Sequence, residues 1–471
     1  MECGACKAPV TPLGRDKRVG PLIRADEKLF STRALVRLII PLIIEQSLAI
    51  LVGMCDGIMV SSVGEAAISG VSLVDMINNV VLNLFAALAT GGAVVTSQYL
   101  GARNRNAARD SAGQLVTMAL FFGLLVMGAS LLFSRGLLKL FFGAIADDVM
   151  AAGLVYFRIT ALSFPFIALY NAGAAIFRSV GNSKLSMKVS MLMNLLNVGG
   201  NALCIYGLKM GVAGVAVPTL VSRAVAAVVI LGLASGKGQE LAIRRGNLIP
   251  LRPKMMGKIL HIGIPSAFEN SLFQLGRVIV VSMIALFGTS QTSANAVANN
   301  LDAVGVIIGQ AMSLAMVTVV GRCIGAGDTE QATFYAKKLM KWVYLYQGAL
   351  NIVLMIFVGP LIGLYKSLSP ETVALARILV LTHQGFAVLL WPASFVLPNA
   401  LRAANDVRFT MAVSIASMAI LRVGASWLLC VHFGMGAVGV WIAMVLDWIC
   451  RTAFFVGRMV GGKWKTKYAL G

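Results

Sequence analysis

The sequence predicts an all-α membrane protein: twelve transmembrane helices in two homologous six-helix lobes around a central cavity. Three observations carry this prediction. Hydrophobic residues make up 58% of the 471-residue chain and charged residues only 13%, far from the even mixture of a soluble domain. The stretch Ile40-Pro41-Leu42-Ile43-Ile44-Glu45-Gln46-Ser47-Leu48 returns 224 residues later as Ile264-Pro265-Ser266-Ala267-Phe268-Glu269-Asn270-Ser271-Leu272. At that offset residues 36–108 align without a gap and share 15 identities in 73 positions, including Met59/Met283, Gly64/Gly288 and Gly101-Ala102/Gly325-Ala326. Finally, basic residues fall on alternate connections, as the positive-inside rule requires of a polytopic chain.

A membrane helix needs about 20 mostly apolar residues. Twelve runs qualify: 35–60, 72–98, 113–133, 152–176, 186–207, 211–234, 258–287, 295–321, 339–365, 372–399, 410–432 and 435–457. They are too long and continuous for the alternating strands of a β-barrel. The even-numbered connections and the two tails hold 31 of the 40 Lys and Arg residues, and the odd-numbered connections hold four (Arg135, Lys139, Lys209, Lys366). Both termini are therefore expected in the cytoplasm. The formal charge of +21 is accounted for by this bias, with no need to invoke nucleic acid. The expected layout is a basic tail (1–34), an N-lobe (35–234), a cytoplasmic linker (235–257), a C-lobe (258–460) and a second cytoplasmic tail (461–471). Cys3 and Cys6 form a lone CxxC with no second pair, which is weak support for a metal or redox site. The other cysteines lie in or beside apolar runs, where Cys usually packs. No cleavable signal peptide is visible in residues 1–33.

Two acids inside apolar helices stand out. Asp56 lies in the first helix and Glu269, four residues after Pro265, in the seventh. Ionisable groups at membrane depth usually face a bundle interior or water, and low dielectric favours the protonated form of a carboxylate. Such groups suit ion coupling. Alternatively, Asp56 reaches headgroup water at the outer end of its helix, and Glu269 pairs with Arg277 two turns on. Glu45, the repeat mate of Glu269, is either a third proton carrier or a partner of Arg37. Gln274, Asn300 and Asp302 are further cavity polar candidates, with interhelix hydrogen bonding as the plainer role. Trp391, Phe395, Tyr170 and Met191 could line a cavity for drug-like cations, since methionine repacks around varied shapes and aromatics attract cations. Each is also an ordinary packing residue. Asp447 and Arg451, one turn apart, read as a local pair.

Several motifs resemble one family. Helix 1 reads Asp56-Gly57-Ile58-Met59-Val60 after Pro41, and Gln98-Tyr99-Leu100-Gly101-Ala102 ends helix 2. Phe177-Arg178-Ser179-Val180-Gly181-Asn182 follows helix 4 and is repeated as Leu401-Arg402-Ala403-Ala404-Asn405-Asp406, and Gly211-Val212-Ala213-Gly214 opens helix 6. Together they resemble the multidrug and toxic compound extrusion (MATE) family, over about residues 35–460, with its norfloxacin-pump subgroup nearest. The resemblance implies a cation-coupled antiporter, driven by H+ or Na+, that exports amphiphilic and often cationic organic compounds across the inner membrane by alternating access. It implies a first-lobe cation site of Asp56 with Asn197, Asn201 and Thr219. Many members carry Asp where Asn201 stands, which weakens the case for tight sodium binding here. It also implies a second-lobe role for Glu269, although Trp391 stands nearest to the Asp that the subgroup often has in helix 10. No cofactor beyond the coupling ion is expected. The expected partners are small organic substrates and membrane lipids, with the monomer as the working unit.

Two other classes fit the sequence less well. A lipid or oligosaccharide flippase of the same superfamily would carry a row of cavity arginines, which the sequence does not show. A membrane enzyme would need a metal cluster or an activated nucleophile, yet His261, His383 and His432 have no metal-ligand spacing.

Overall fold

The computed structural model describes residues 28–143, 146–236, 239–365 and 368–467. Most of the N-terminal tail, Cys3 and Cys6 among it, lies outside the described residues. Twelve long helical units follow in chain order among the described residues, besides the short helices Ser134–Phe142, Arg245–Leu248 and Val358–Gly363. The N-lobe holds α1 (Thr32–Ser61), α2 (Glu65–Gly101), α3 (Arg105–Leu132), α4 (Asp147–Leu162 and Phe164–Val180), α5 (Ser183–Ala202, continued by Leu203–Gly207) and α6 (Ala213–Ala234). The C-lobe holds α7 (Pro253–Ala285), α8 (Thr289–Gly305 and Ile307–Gly325), α9 (Thr329–Ile356), α10 (Pro370–Trp391, Pro392–Val396 and Leu397–Ala403), α11 (Val407–Ser417, running on to His432) and α12 (Gly436–Val460). No strand occurs among the described residues.

Ten of these units are long and apolar enough to cross a membrane, and the α4 pair, bent by 45°, makes an eleventh. The twelfth, α7, is long enough, but Glu269, Asn270, Gln274 and Arg277 interrupt its apolar run. Several helices expected to be continuous are broken. Ser163 ends the first half of α4 just before Pro165, α8 breaks at Val306, and α10 widens into a π-turn that starts at Pro392. Proline has no N–H to give the preceding turn, which explains the sites at Pro165 and Pro392.

The duplication reaches the turns. Asn104 and its repeat mate Asp328 cap α3 and α9, accepting from Ala107 N at 3.0 Å and Gln331 N at 2.8 Å. The residues before them, Arg103 and Gly327, both take positive φ, at 56° and 78°. Gly181 and Asn405, also mates, close α4 and α10 at φ 89° and 64°. The amide after each then bonds back to the helix, Asn182 N to Phe177 O at 2.9 Å and Asp406 N to Leu401 O at 3.0 Å, a left-handed C-terminal cap in both lobes.

The lobes interlock reciprocally. The first half of α1 (Leu35, Leu38, Ile39, Leu42) is buried in the core of the C-lobe, with Val319, Leu339 and Trp448. The start of α7 (Ile259, Ile262) is buried in the N-lobe core, with Leu115, Phe157 and Phe177. The first helix of each repeat therefore packs in part into the core of the other lobe, and that of the second repeat begins at Pro253, before the expected 258. At the face carrying the basic loops, α2 and α8 cross. Gln98 donates to Ala403 O at 2.9 Å, and its mate Arg322 donates to Ser179 O at 2.7 and 2.9 Å. Ser179 and Ala403 are themselves mates. A Cβ on Gly101 or Gly325 would strike the opposite backbone at this crossing, so both positions require glycine. Residues 247–252 of the connection are docked on α3. Buried Gln114 donates to Asn247 O at 2.9 Å and accepts from Arg252 N at 3.0 Å, while Asp110 accepts from Asn247 at 2.8 Å and pairs with Arg252.

Candidate functional site

In the N-lobe four residues from three helices meet. Asp56 on α1 is half-buried, and its Oδ1 accepts from Asn201 Nδ2 of α5 at 2.8 Å. Asn197, one turn earlier on the same face of α5, lies 3.0 Å from the Thr219 hydroxyl of α6. With its amide nitrogen turned towards Asp56, Asn197 donates to the carboxylate at 3.1 and 3.3 Å, and its oxygen accepts from Thr219. Asn201 is fully buried and Asn197 nearly so, so these amides are pre-set by packing. The structure thus brings together the set Asp56, Asn197, Asn201 and Thr219. Among the described residues Asp56 makes no ion pair.

Next to this site lies an acid that the sequence reading passed over. Asp75 on α2 accepts from Tyr156 Oη at 3.1 Å and from Asn78 Nδ2 at 3.3 Å. Asp56, Asp75 and the α6 residue Arg223 share one electrostatic neighbourhood, and Arg223 itself donates to Ser163 at 2.8 Å. The signal was present: Asp75 is an acid inside an apolar run, the same rule that picked out Asp56.

The C-lobe acids are arranged differently. Glu269 is buried and pairs with Arg402 of α10 at 2.6 Å and Arg451 of α12 at 3.4 Å, instead of with Arg277. Arg451 also stacks over Phe395, 4.8 Å from the ring centre, and is not the partner of Asp447, which accepts from Ser417 at 2.5 Å. The reason is geometric: Arg451 points into the bundle, where the aromatic face and the Glu269 carboxylate both attract it. Glu45 pairs with Arg178 at 3.4 Å and accepts from Ser186 at 3.1 Å, instead of pairing with Arg37. Glu45/Arg178 and Glu269/Arg402 are related by the same 224-residue offset, so the duplication has kept an ion pair in each lobe.

The remaining candidates disperse. Trp391 and Phe395 stack with ring centres 5.0 Å apart. Tyr170 is buried in the N-lobe interior, whereas Met191 is exposed on α5. Gln274 is half-buried, and Asn300 is exposed, 3.5 Å from the Tyr365 hydroxyl. Asp302 lies 2.6 Å from His383. The arginines form a cluster after all: Arg402, Arg422 and Arg451 all enter the C-lobe interior, with Arg422 and Arg451 each 5.8 Å from the Phe273 ring centre. Sequence spacing hides this because the three lie on different helices. A cavity of 1520 Å³ opens on the face of the basic loops, lined among others by Gln98, Tyr99, Lys254, His261, Asp406 and Arg408, and none of the expected substrate residues lines it.

Comparison with known proteins agrees with this architecture. The MatE family model matches twice, at residues 41–203 and 265–428, one match per repeat. An uncharacterized transporter of Bacillus subtilis, YisQ, is 29% identical over 427 residues, covering 89% of this chain and 92% of that protein. The "Probable multidrug resistance protein NorM" of Thermotoga maritima is 27% identical over 445 residues, covering 93% and 94%. Among solved structures, a MOP-superfamily transporter from Pyrococcus furiosus superposes with a TM-score of 0.86 at 22% identity, covering 92% of this chain and 96% of that one. A multidrug resistance MATE transporter in an outward-facing conformation gives 0.85 at 23%, with the same coverage. With two matches to the family model spanning most of its length and one lying in each lobe, the chain belongs to the MatE family of multi-pass membrane transporters.

Proposed function

We propose that this protein is a cation-coupled antiporter that exports amphiphilic, often cationic, organic compounds. The observation that carries the reading is Asp56, a half-buried carboxylate held by neutral amides and in no ion pair among the described residues. Such a group can exchange a proton or a sodium ion without first breaking a salt bridge. Ion binding removes its charge, relaxes the Asn197–Asn201–Thr219 bracket and shifts the balance between two arrangements of the lobes. Asp75 and Arg223 set the local field. In this reading Glu269 and Glu45 take a different part. Each is engaged by arginine and holds its lobe together near the face of the basic loops. That face is the cytoplasmic side of the inner membrane, with both termini on it. The monomer is the transporting unit, and the names of the relatives support a drug-like substrate class.

The test is ethidium efflux from proteoliposomes under an imposed pH gradient, then under a sodium gradient. One gradient should drive efflux in the wild type, and Asp56→Asn should abolish it. Wild-type export by Asp56→Asn would overturn the reading.

The arginine cluster of the C-lobe favours a second reading, a flippase for anionic lipid or oligosaccharide headgroups. Arg402, Arg422 and Arg451 outnumber the nearby Glu269 and Asp447, and Arg451 keeps two nitrogens without a hydrogen-bond acceptor. Failure of both gradients to move ethidium, with headgroup-labelled anionic lipid transferred between leaflets, would favour it.

A further inference from the structure

The C-lobe contains a set of buried polar atoms that the Asp56 site does not use. Gln347 and Asn351, one turn apart on α9, and Gln384 on α10 are fully buried, and none of their side-chain N or O atoms has a hydrogen-bond partner. Six orphaned amide atoms in one region of a membrane bundle is far above the usual tally, because an unsatisfied buried amide atom keeps its full desolvation penalty. They converge on α8. A Cβ at Gly305 would come within 2.9 Å of the Gln384 and Asn351 carboxamides, and one at Gly309 would meet the Gln347 oxygen, so two glycines one turn apart make room for all three. Gly305 is also where α8 breaks.

One turn before Gly305, Asp302 brings a carboxylate to the same face, within 2.6 Å of His383 Nε2. Neither atom yet makes a well-directed hydrogen bond. The two differ in access: the Asp302 side chain is 23% exposed and that of His383 only 1%. His383 is held edge-on against Trp441 and Trp448, with ring centres 5.4 and 4.8 Å away. Among charged groups, Arg422 on α11 bears on Asp302, and Arg422 itself lies in the field of Asp447 and Arg451 on α12 and Arg277 on α7. The element α9 brings Gln347 and Asn351.

We propose that Asp302 and His383, with the carboxamides of Gln347, Asn351 and Gln384, form a second proton-binding site, in the C-lobe and separate from Asp56. A proton arriving through Asp302 is bound at His383 Nε2. The imidazolium that forms donates its new Nε2–H to the Asp302 carboxylate, while Nδ1–H is a donor before and after. The carboxamides hydrate the site: a polar region with several partners is where buried water is retained. Because Asp302 and Gly305 form the last turn before the break of α8 at Val306, the charge state of the pair acts on that break. The coupling role rests on the antiporter reading above, whereas proton binding itself does not.

The two tryptophans give the test, since an imidazolium quenches a neighbouring indole. Tryptophan emission of the purified full-length protein is followed against pH for wild type, His383→Gln, Asp302→Asn and His432→Gln. The last removes the Trp427–His432 stack and sets the background. Wild type and His432→Gln are expected to show a reversible acid quench. In His383→Gln at least half of its amplitude should vanish, and in Asp302→Asn its midpoint should move by about one pH unit or more. Full amplitude in His383→Gln, or an unmoved midpoint in Asp302→Asn, overturns the proposal. Should His383→Gln not fold, Asp302→Asn alone decides. Efflux on the same preparations separates the two failures. Loss of efflux in Asp56→Asn with no His383 titration sinks only this site. A clear His383 titration with no gradient-driven efflux sinks the antiporter reading and leaves a proton site standing.

Discussion

The N-lobe and C-lobe share a backbone plan but carry opposite electrostatics. In both, a glutamate on the first helix pairs with an arginine at the end of the fourth: Glu45 with Arg178, and Glu269 with Arg402. In both, a left-handed residue closes that fourth helix. Further out, the plan diverges. The N-lobe places Asp56 among neutral amides, whereas the C-lobe has Val280 at the matching position. The C-lobe instead gathers arginines and aromatic rings around Glu269, and a histidine beside Asp302. Duplication has preserved what holds each lobe together, and of the two matching positions Asp56 and Val280 only the N-lobe one is an acid. The lobes should therefore respond differently to the same kind of substitution.

The largest contrast is between stability and transport. Arg402→Ala removes the closer partner of a buried carboxylate, and breaking such a pair costs about 3–5 kcal/mol. Denaturant unfolding in detergent should show a loss of that size. Asp56→Asn should change unfolding by less than about 1 kcal/mol, because a half-exposed amide replaces a half-exposed acid among groups that can still hydrogen-bond. Equal losses in the two variants would break the distinction between a structural acid and a coupling acid.

A change of intermediate size adds charge to the N-lobe. Asn201 donates to Asp56 at 2.8 Å, so Asn201→Asp sets two carboxylates against each other. That arrangement attracts a cation to share. Sodium should then drive efflux, or be needed for it, at concentrations about tenfold lower than in the wild type, a change of about 1.4 kcal/mol. An unchanged sodium response would mean that the pocket bounded by Asn197 and Thr219 cannot admit the ion.

Hydropathy, the 224-residue offset and the distribution of basic residues made the architecture legible in the sequence. The bracket around Asp56 was legible through the resemblance, which supplied Asn197, Asn201 and Thr219 together. The partners of Glu269 were not, because Arg402 and Arg451 lie 133 and 182 residues away and only packing decides which of several arginines reaches it. Even so, applying the offset to charged pairs would have linked Glu45/Arg178 to Glu269/Arg402. The carboxamide cluster was hidden for another reason. Gln347, Asn351 and Gln384 look like ordinary interhelix hydrogen-bonders until their atoms are seen to lack partners. Broken helices escaped as well, because hydropathy is blind to a local change in hydrogen-bond register.

The smallest effect concerns the crossing that joins the lobes, where the two halves are most alike. Gln98 and Arg322 each bond to a carbonyl at the end of the other lobe's fourth helix. Gln98 contributes a neutral hydrogen bond, and its loss in Gln98→Ala should cost about 1 kcal/mol. The thiol of Cys323, fully buried beside Arg322 in the described structure, reports on that crossing. In a background where Cys323 is the sole cysteine, Gln98→Ala should raise its labelling rate about fivefold, the population shift that 1 kcal/mol allows. The equivalent charged contact is stronger, so Arg322→Gln should raise the rate further. Equal labelling in all three proteins would mean that packing at Gly101 and Gly325, and not these reciprocal bonds, keeps this face closed.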